Sequence, residues 1–165
     1  MRDHLFNVDK IEYVKGKKPD VPCILCAIVE NDPRLEVLEV LRGRFCMVSM
    51  NLYPFNTGHL MIFPMRHIEE YGDLTEDEVL EMHRLAVLMI TAIREEFSPV
   101  GFNAGWNLGR ASGASIVHLH QHIVPRYENE LGFLDVLAGT RVVVVDPRRA
   151  LERLRAKVEE IRGRA

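Results

Sequence analysis

Three apolar runs follow one another between positions 35 and 65, and they restrict the fold more than any other feature of the chain. They are LEVLEVL (35–41), RFCMVSMNL (44–52) and HLMIFPM (59–65), separated by Arg42-Gly43-Arg44 and by YPFNTG (53–58). Apolar and β-branched runs between short turn-rich connectors read as strands. Connectors this short join antiparallel neighbours, because a parallel pair needs a long crossover. The expectation is an antiparallel meander.

A helix follows. Thr75 and Glu78 in TEDE have the spacing of a capping box. Leu85, Met89, Ile93 and Phe97 recur at helical spacing, with Met82, Ala86 and Ile90 beside them. Pro99 ends the helix, since the residue before proline avoids helical backbone. GFNAGWNLG (101–109) reads as a strand, RASGAS (110–115) as a loop, IVHLHQHIVPR (116–126) as a strand and RVVVV (141–145) as a short one. Asp146 and Pro147 open a last helix with Leu151, Leu154, Val158 and Ile161 along one stripe. The reading is an α+β domain, an antiparallel sheet of about five or six strands with packed helices. The 165 residues suit one domain, with residues 1–20 as an N-terminal extension and 128–165 as a C-terminal extension carrying a helix.

Composition removes several function classes. A net charge of −3 gives no global reason to expect nucleic-acid binding. The local excess of arginine after position 141 is interleaved with Asp146, Glu152, Glu159 and Glu160 and reads as a solvated helix face. No run of about 18 apolar residues predicts a membrane span, and the N-terminal stretch lacks the apolar core of a signal peptide. The expected location is cytoplasmic. Of three cysteines, Cys23 and Cys26 form a CxxC pair and Cys46 stands in an apolar run. In a reducing compartment such a pair points to metal or redox chemistry rather than a disulfide.

The chemistry concentrates at VHLHQHIV (117–124), where three of the seven histidines occupy alternate positions. On a strand, His118, His120 and His122 would project from one face. Each ring brings two nitrogens that need partners, so the apolar flanks argue for a purposeful site. Period alone leaves catalysis and metal binding both open.

The wider pattern is more specific. HLHQHIV, with NLYPFNTGHLMIFPMRH (51–67) and GFNAGWNLGRASGASIVHLHQHIVPR (101–126), resembles the histidine triad family of nucleotide hydrolases and transferases. The resemblance covers roughly residues 20 to 127 and implies a HIT-like fold. It implies that His120 is a nucleophile attacking the α-phosphorus of a nucleotide, through a covalent nucleotidyl-histidine, with dinucleoside polyphosphates or nucleoside phosphoramidates as substrates. It implies that His122 and His59 face the phosphates. Asn107 and Ser115 would contact phosphate oxygens, Gly113 would lie in a loop whose amides approach them, and Asn51 would touch the ribose. Ala114 stands where many family members have glutamine. That departure removes an amide that could position the leaving phosphates or an incoming water, and NLYPFNTGHLM and FNAGWNLG resemble bacterial members that phosphorolyse dinucleoside polyphosphates, such as diadenosine tetraphosphate, to ADP plus ATP.

The zinc-bearing branch of the family implies that Cys23 and Cys26 are joined by His67 and His118 in a closed, structural Cys2His2 site, with no catalytic metal required. It also implies a homodimer, for which the stripe of the 75–97 helix is either interface or core. Two other classes stand beside this reading: a hydrolase whose triad itself holds catalytic zinc, and a nucleotide-binding module without turnover.

Overall fold

The computed structural model describes residues 19–128 and 145–164. The elements are α1 (Ile24–Val29), β1 (Glu39–Arg42), β2 (Cys46–Met50), β3 (Leu60–Pro64), α2 (Glu76–Phe97), β4 (Gly101–Trp106), β5 (Gln121–Arg126) and α3 (Pro147–Gly163). The five strands form one antiparallel sheet in the order β1-β2-β3-β5-β4. The meander is present, and the architecture is α+β.

The sheet separates two apolar layers. On one side α2 and α3 pack their stripes, including Met82, Leu85, Met89 and Ile93 from α2 and Leu151, Leu154 and Val158 from α3, against Val48, Ile62 and Ile123. The α2 stripe is therefore core and not a dimer surface. On the other side α1 lays Leu25 and Ile28 on Met47, Met61 and Phe63. Strands β2 and β3 are buried at every position because both faces are covered.

Local chemistry sets the ends of the elements. Thr75 and Glu78 make the reciprocal capping box, and Ser98 closes α2 in left-handed backbone (φ 51°) before Pro99. Glu78 is almost wholly buried, and Arg66 grips it through Nε and Nη2 at 2.6 and 2.8 Å. That contact joins the segment after β3 to the first turn of α2. Arg66 beside it, and then the Thr75 cap, hold the Glu78 carboxyl below its usual range.

Some expectations were too long. The run at 35–41 enters the sheet only at Glu39. The histidine strand pairs only from Gln121, so His118 and His120 lie on its approach, and Leu119 N–H instead bonds the Ile68 carbonyl. Of the three histidines only His122 lies within the paired strand, and its ring is 4.7 Å from that of His120. The expected strand at 141–145 and most of the N-terminal extension lie outside the described residues; Val145 is described, in a bend, packed on the core.

The β1–β2 turn depends on a carboxylate from α2. Glu81 accepts from the N–H groups of Arg44, Phe45 and Cys46 at 2.6–2.8 Å. A Cβ on Gly43 would meet that carboxylate at 2.6 Å, so the absence of a side chain there makes room for it. Burial pushes the Glu81 pKa up, but the three amides outweigh it and the net shift is downward from 4.5. Glu81→Ala strands those amides and should cost about 2–3 kcal/mol at neutral pH. A carboxyl whose pKa is depressed by folding stabilises fully above its unfolded pKa and loses that contribution as pH falls. In urea titrations the deficit of the variant should therefore shrink below about pH 4.5; an equal deficit at pH 7 and pH 3 would assign the effect to packing.

Candidate functional site

At one end of the site, Cys23 and Cys26 sit at the start of α1, His67 follows β3 and His118 precedes β5. Their ligand atoms all lie within 4.8 Å of one another. His118 Nδ1 is 3.5 Å from each sulfur, and His67 Nδ1 is 3.3 Å from Cys26 Sγ. A tetrahedral zinc with ordinary bond lengths sets its sulfur–nitrogen ligand pairs about 3.6 Å apart. Both histidines offer the same nitrogen because the other is engaged. His118 Nε2–H donates to the Pro64 carbonyl at 3.0 Å, and His67 Nε2 lies 3.2 Å from Glu69 Oε1. Burial, and then the adjacent Cys23, push the Cys26 thiol up to about 12. A redox-active CxxC has the opposite, lowered thiol pKa. The donor set fits a divalent cation, whose charge would stabilise the thiolates.

The other two triad histidines turn elsewhere. His120 is buried, and its Nδ1–H donates to the His118 carbonyl at 2.8 Å. A carbonyl only accepts, so in the neutral ring the lone pair is on Nε2. Burial lowers the His120 pKa, against the carbonyl bond that raises it. His122 is lowered to about 4 by burial and then by the neighbouring His120. Neutral, nucleophilic imidazole is thus the form present at neutral pH. Among the described residues the only grouping of metal-type ligands is the Cys23–Cys26–His67–His118 set. His120 and His122 stand apart from that set, their rings 4.7 Å from one another.

His59 departs from its expected place. It has no exposed surface and is absent from the cavity wall. Phe55 N–H donates to its Nδ1 at 3.1 Å, so its proton is on Nε2, which lies 3.0 Å from His122 Nδ1. Both ring edges of His59 thus meet protein partners, and His122 stands between it and the cavity. The order of donation nevertheless has a consequence. His122 Nδ1 accepts from His59, so the His122 proton resides on Nε2. Asn107 Nδ2 lies 3.4 Å from that Nε2. Two N–H donors then converge on one small space, the arrangement an anionic oxygen fills.

Gly58, at φ 84°, makes the turn into His59; a Cβ there would press on Phe97 and Pro125, both at 3.3 Å. Asn56, not singled out from the sequence, anchors the same turn. It is buried, donates from Nδ2 to the Pro125 carbonyl at 2.7 Å, and its own carbonyl accepts from His59 N–H. Its position in YPFNTG reads only as a turn residue, because the partner strand is far away in sequence.

A cavity of about 290 Å³ opens beside these groups. His120, His122, Asn51, Asn107, Gly113 and Ser115 line its polar end, and Ile24, Ile28, Leu35 and Leu38 belong to its apolar wall. Asn51 also closes a local turn, its Oδ1 accepting from Tyr53 N–H at 2.9 Å. Ala114 stands between the lining residues Gly113 and Ser115.

Comparison with known proteins agrees with this geometry. A model of the HIT domain matches residues 39–129. A Mycobacterium tuberculosis protein named AP-4-A phosphorylase is 40% identical over 109 residues, 66% of this chain. The chain spans 56% of that relative's length. A Bacillus subtilis protein named Protein hit is 31% identical over 111 residues, 67% of this chain and 75% of that one. The crystal structure of a Zn-bound histidine triad family protein from Mycobacterium smegmatis superposes with a TM-score of 0.73 at 25% identity, covering 87% of this chain and 98% of that one. Matched over more than half of its residues, with the triad, the sheet order and the cavity in one arrangement, the chain belongs to the HIT family.

Proposed function

We propose that this chain is a nucleotide-cleaving enzyme in which His120 Nε2 attacks the α-phosphorus of a dinucleoside polyphosphate or nucleoside phosphoramidate. The observation that carries the reading is the 2.8 Å bond from His120 Nδ1–H to the His118 carbonyl, which leaves the Nε2 lone pair for attack. Attack forms a P–N bond to the ring and breaks the bond from α-phosphorus to its leaving group, which is ATP when diadenosine tetraphosphate is cleaved. The ring then holds phosphorus on Nε2 and its original proton on Nδ1, and the His118 carbonyl faces the resulting positive charge. His122 Nε2–H and Asn107 donate to the phosphoryl oxygens as charge builds on them. His59 orients His122 from behind. Ser115 and Gly113 lie on the phosphate side, Asn51 beside the ribose, and the apolar wall receives the base.

The acceptor that discharges the intermediate is inorganic phosphate in our reading. Two observations support this: the likeness to a protein named AP-4-A phosphorylase, and Ala114 in place of the family glutamine. Attack by a phosphate oxygen on the nucleotidyl group gives ADP and restores the His120 lone pair. Attack by water gives AMP.

Zinc is proposed at Cys23, Cys26, His67 and His118, for which the Zn-bound M. smegmatis relative and the donor set are the support. When bound, the ion supplies a closed cross-link between α1, the end of β3 and the approach to β5, with no coordination position left for water. A homodimer extending the sheet from the edge strand β4 is the proposed assembly. No helix among the described residues is long and apolar enough to cross a membrane. A cytoplasmic location suits a pair of free thiols committed to metal.

Diadenosine tetraphosphate incubated with phosphate should give ADP plus ATP, and His120→Ala should lose about a thousandfold or more of that rate while keeping its circular dichroism. Undiminished turnover in the variant would reject the covalent route. Ala114→Gln should raise AMP at the expense of ADP; an unchanged product ratio would show that position 114 does not choose the acceptor. Atomic emission should find about one zinc per chain, and Cys26→Ser should lose it together with several degrees of melting temperature. A metal-free chain that melts like the wild type would dismiss the site.

A further inference from the structure

The cavity poses an electrostatic problem. Glu36 is the one residue among Asp, Glu, Lys and Arg on its described wall, and its carboxylate has the same sign of charge as a nucleotide. A bare carboxylate beside a partly enclosed site would repel an anionic ligand.

The carboxylate is not bare. Arg148, in the first turn of α3, meets it with two parallel bonds: Nε to Oε1 at 2.5 Å and Nη2 to Oε2 at 2.6 Å. Asp146 also faces that guanidinium, its Oδ2 lying 3.5 Å from Nη1, while its Oδ1 accepts from Arg148 N–H at 2.7 Å. The helix is fixed to the same stretch of chain by Arg155 Nε, which donates to the Glu39 carbonyl at 2.8 Å. Arg148, held by a helix outside the matched domain, therefore stands against the Glu36 carboxylate at the cavity wall and against Asp146 behind it.

We propose that Arg148 sets the affinity of this cavity for anionic ligands by cancelling the charge of Glu36, an inference that rests on the nucleotide reading above. Arg148 acts through Glu36 and touches no reacting atom, so it is a positioning and charge-balancing residue. The mechanism makes a prediction of sign that simple bracing of the wall does not. Removing Arg148 leaves Glu36 and Asp146 unopposed and weakens anion binding. Removing the charge of Glu36 leaves Arg148 in excess and strengthens it.

Isothermal titration of the full chain with AMP and with uncharged adenosine tests this. Arg148→Ala should weaken AMP about 3- to 10-fold at about 20 mM salt, with most of the loss gone at about 0.5 M. Adenosine affinity should stay within about twofold, and Arg148→Lys should bind AMP within about twofold of wild type. Glu36→Gln should bind AMP more tightly than wild type at low salt. Equal losses for AMP and adenosine, or weakening in Glu36→Gln to match Arg148→Ala, would overturn the inference in favour of bracing, and unchanged AMP affinity in both variants would overturn it outright. A wild-type chain that binds neither ligand would instead bring down the nucleotide reading itself, and this inference with it.

Discussion

The carbonyl oxygen of His118 is the point on which the site depends. It takes the Nδ1 proton of His120 and so decides which nitrogen of that ring keeps a lone pair. The same residue is fixed from two other directions, its Nε2–H on the Pro64 carbonyl and its Nδ1 among two sulfurs. A peptide oxygen moves only with its backbone, and here the backbone is held by the ring it carries. Contacts from one residue thus join the Cys23–Cys26–His67 cluster to the ring of His120.

A second chain of bonds controls the neighbouring ring. Phe55 N–H can only donate, which assigns the proton of His59, which in turn assigns that of His122. The tautomers follow from one backbone amide at a turn that Asn56 and Tyr127 tie to the end of β5. Burial suppresses protonation of His120 and His122, so both rings stay neutral under ordinary conditions. Hydrogen-bond direction and desolvation together give two adjacent imidazoles different tasks, one exposing a lone pair and the other a proton.

Much of this was legible in the residues. The capping box at Thr75 and Glu78, the α2 and α3 stripes and the meander follow from local periodicity and cap chemistry, which act within a few residues. The four metal-type ligands were legible only through family resemblance, since His67 and His118 stand 41 and 92 positions after Cys26 in sequence. The strand was read too long at His118 and His120, because a strand begins where a partner is available, and Leu119 bonds Ile68 instead. The contacts of His59 were not legible for a related reason: its neighbours in space, Phe55 and His122, decide what its nitrogens meet. Glu81 and Asn56 carried no signal, as each works by capping backbone groups of a distant segment.

The two-sided sheet has a practical consequence for handling the molecule. All the chemistry gathers on the α1 side, while α2 turns Val79, Leu80 and Val87 to solvent on the far side of the helix layer. The helix itself, about 10–12 Å across with its side chains, stands between that outer surface and the strands. Fluorophores, biotin handles or surface anchors placed along it leave the entrance of the cavity unobstructed, so an immobilised or labelled preparation retains access for its ligand.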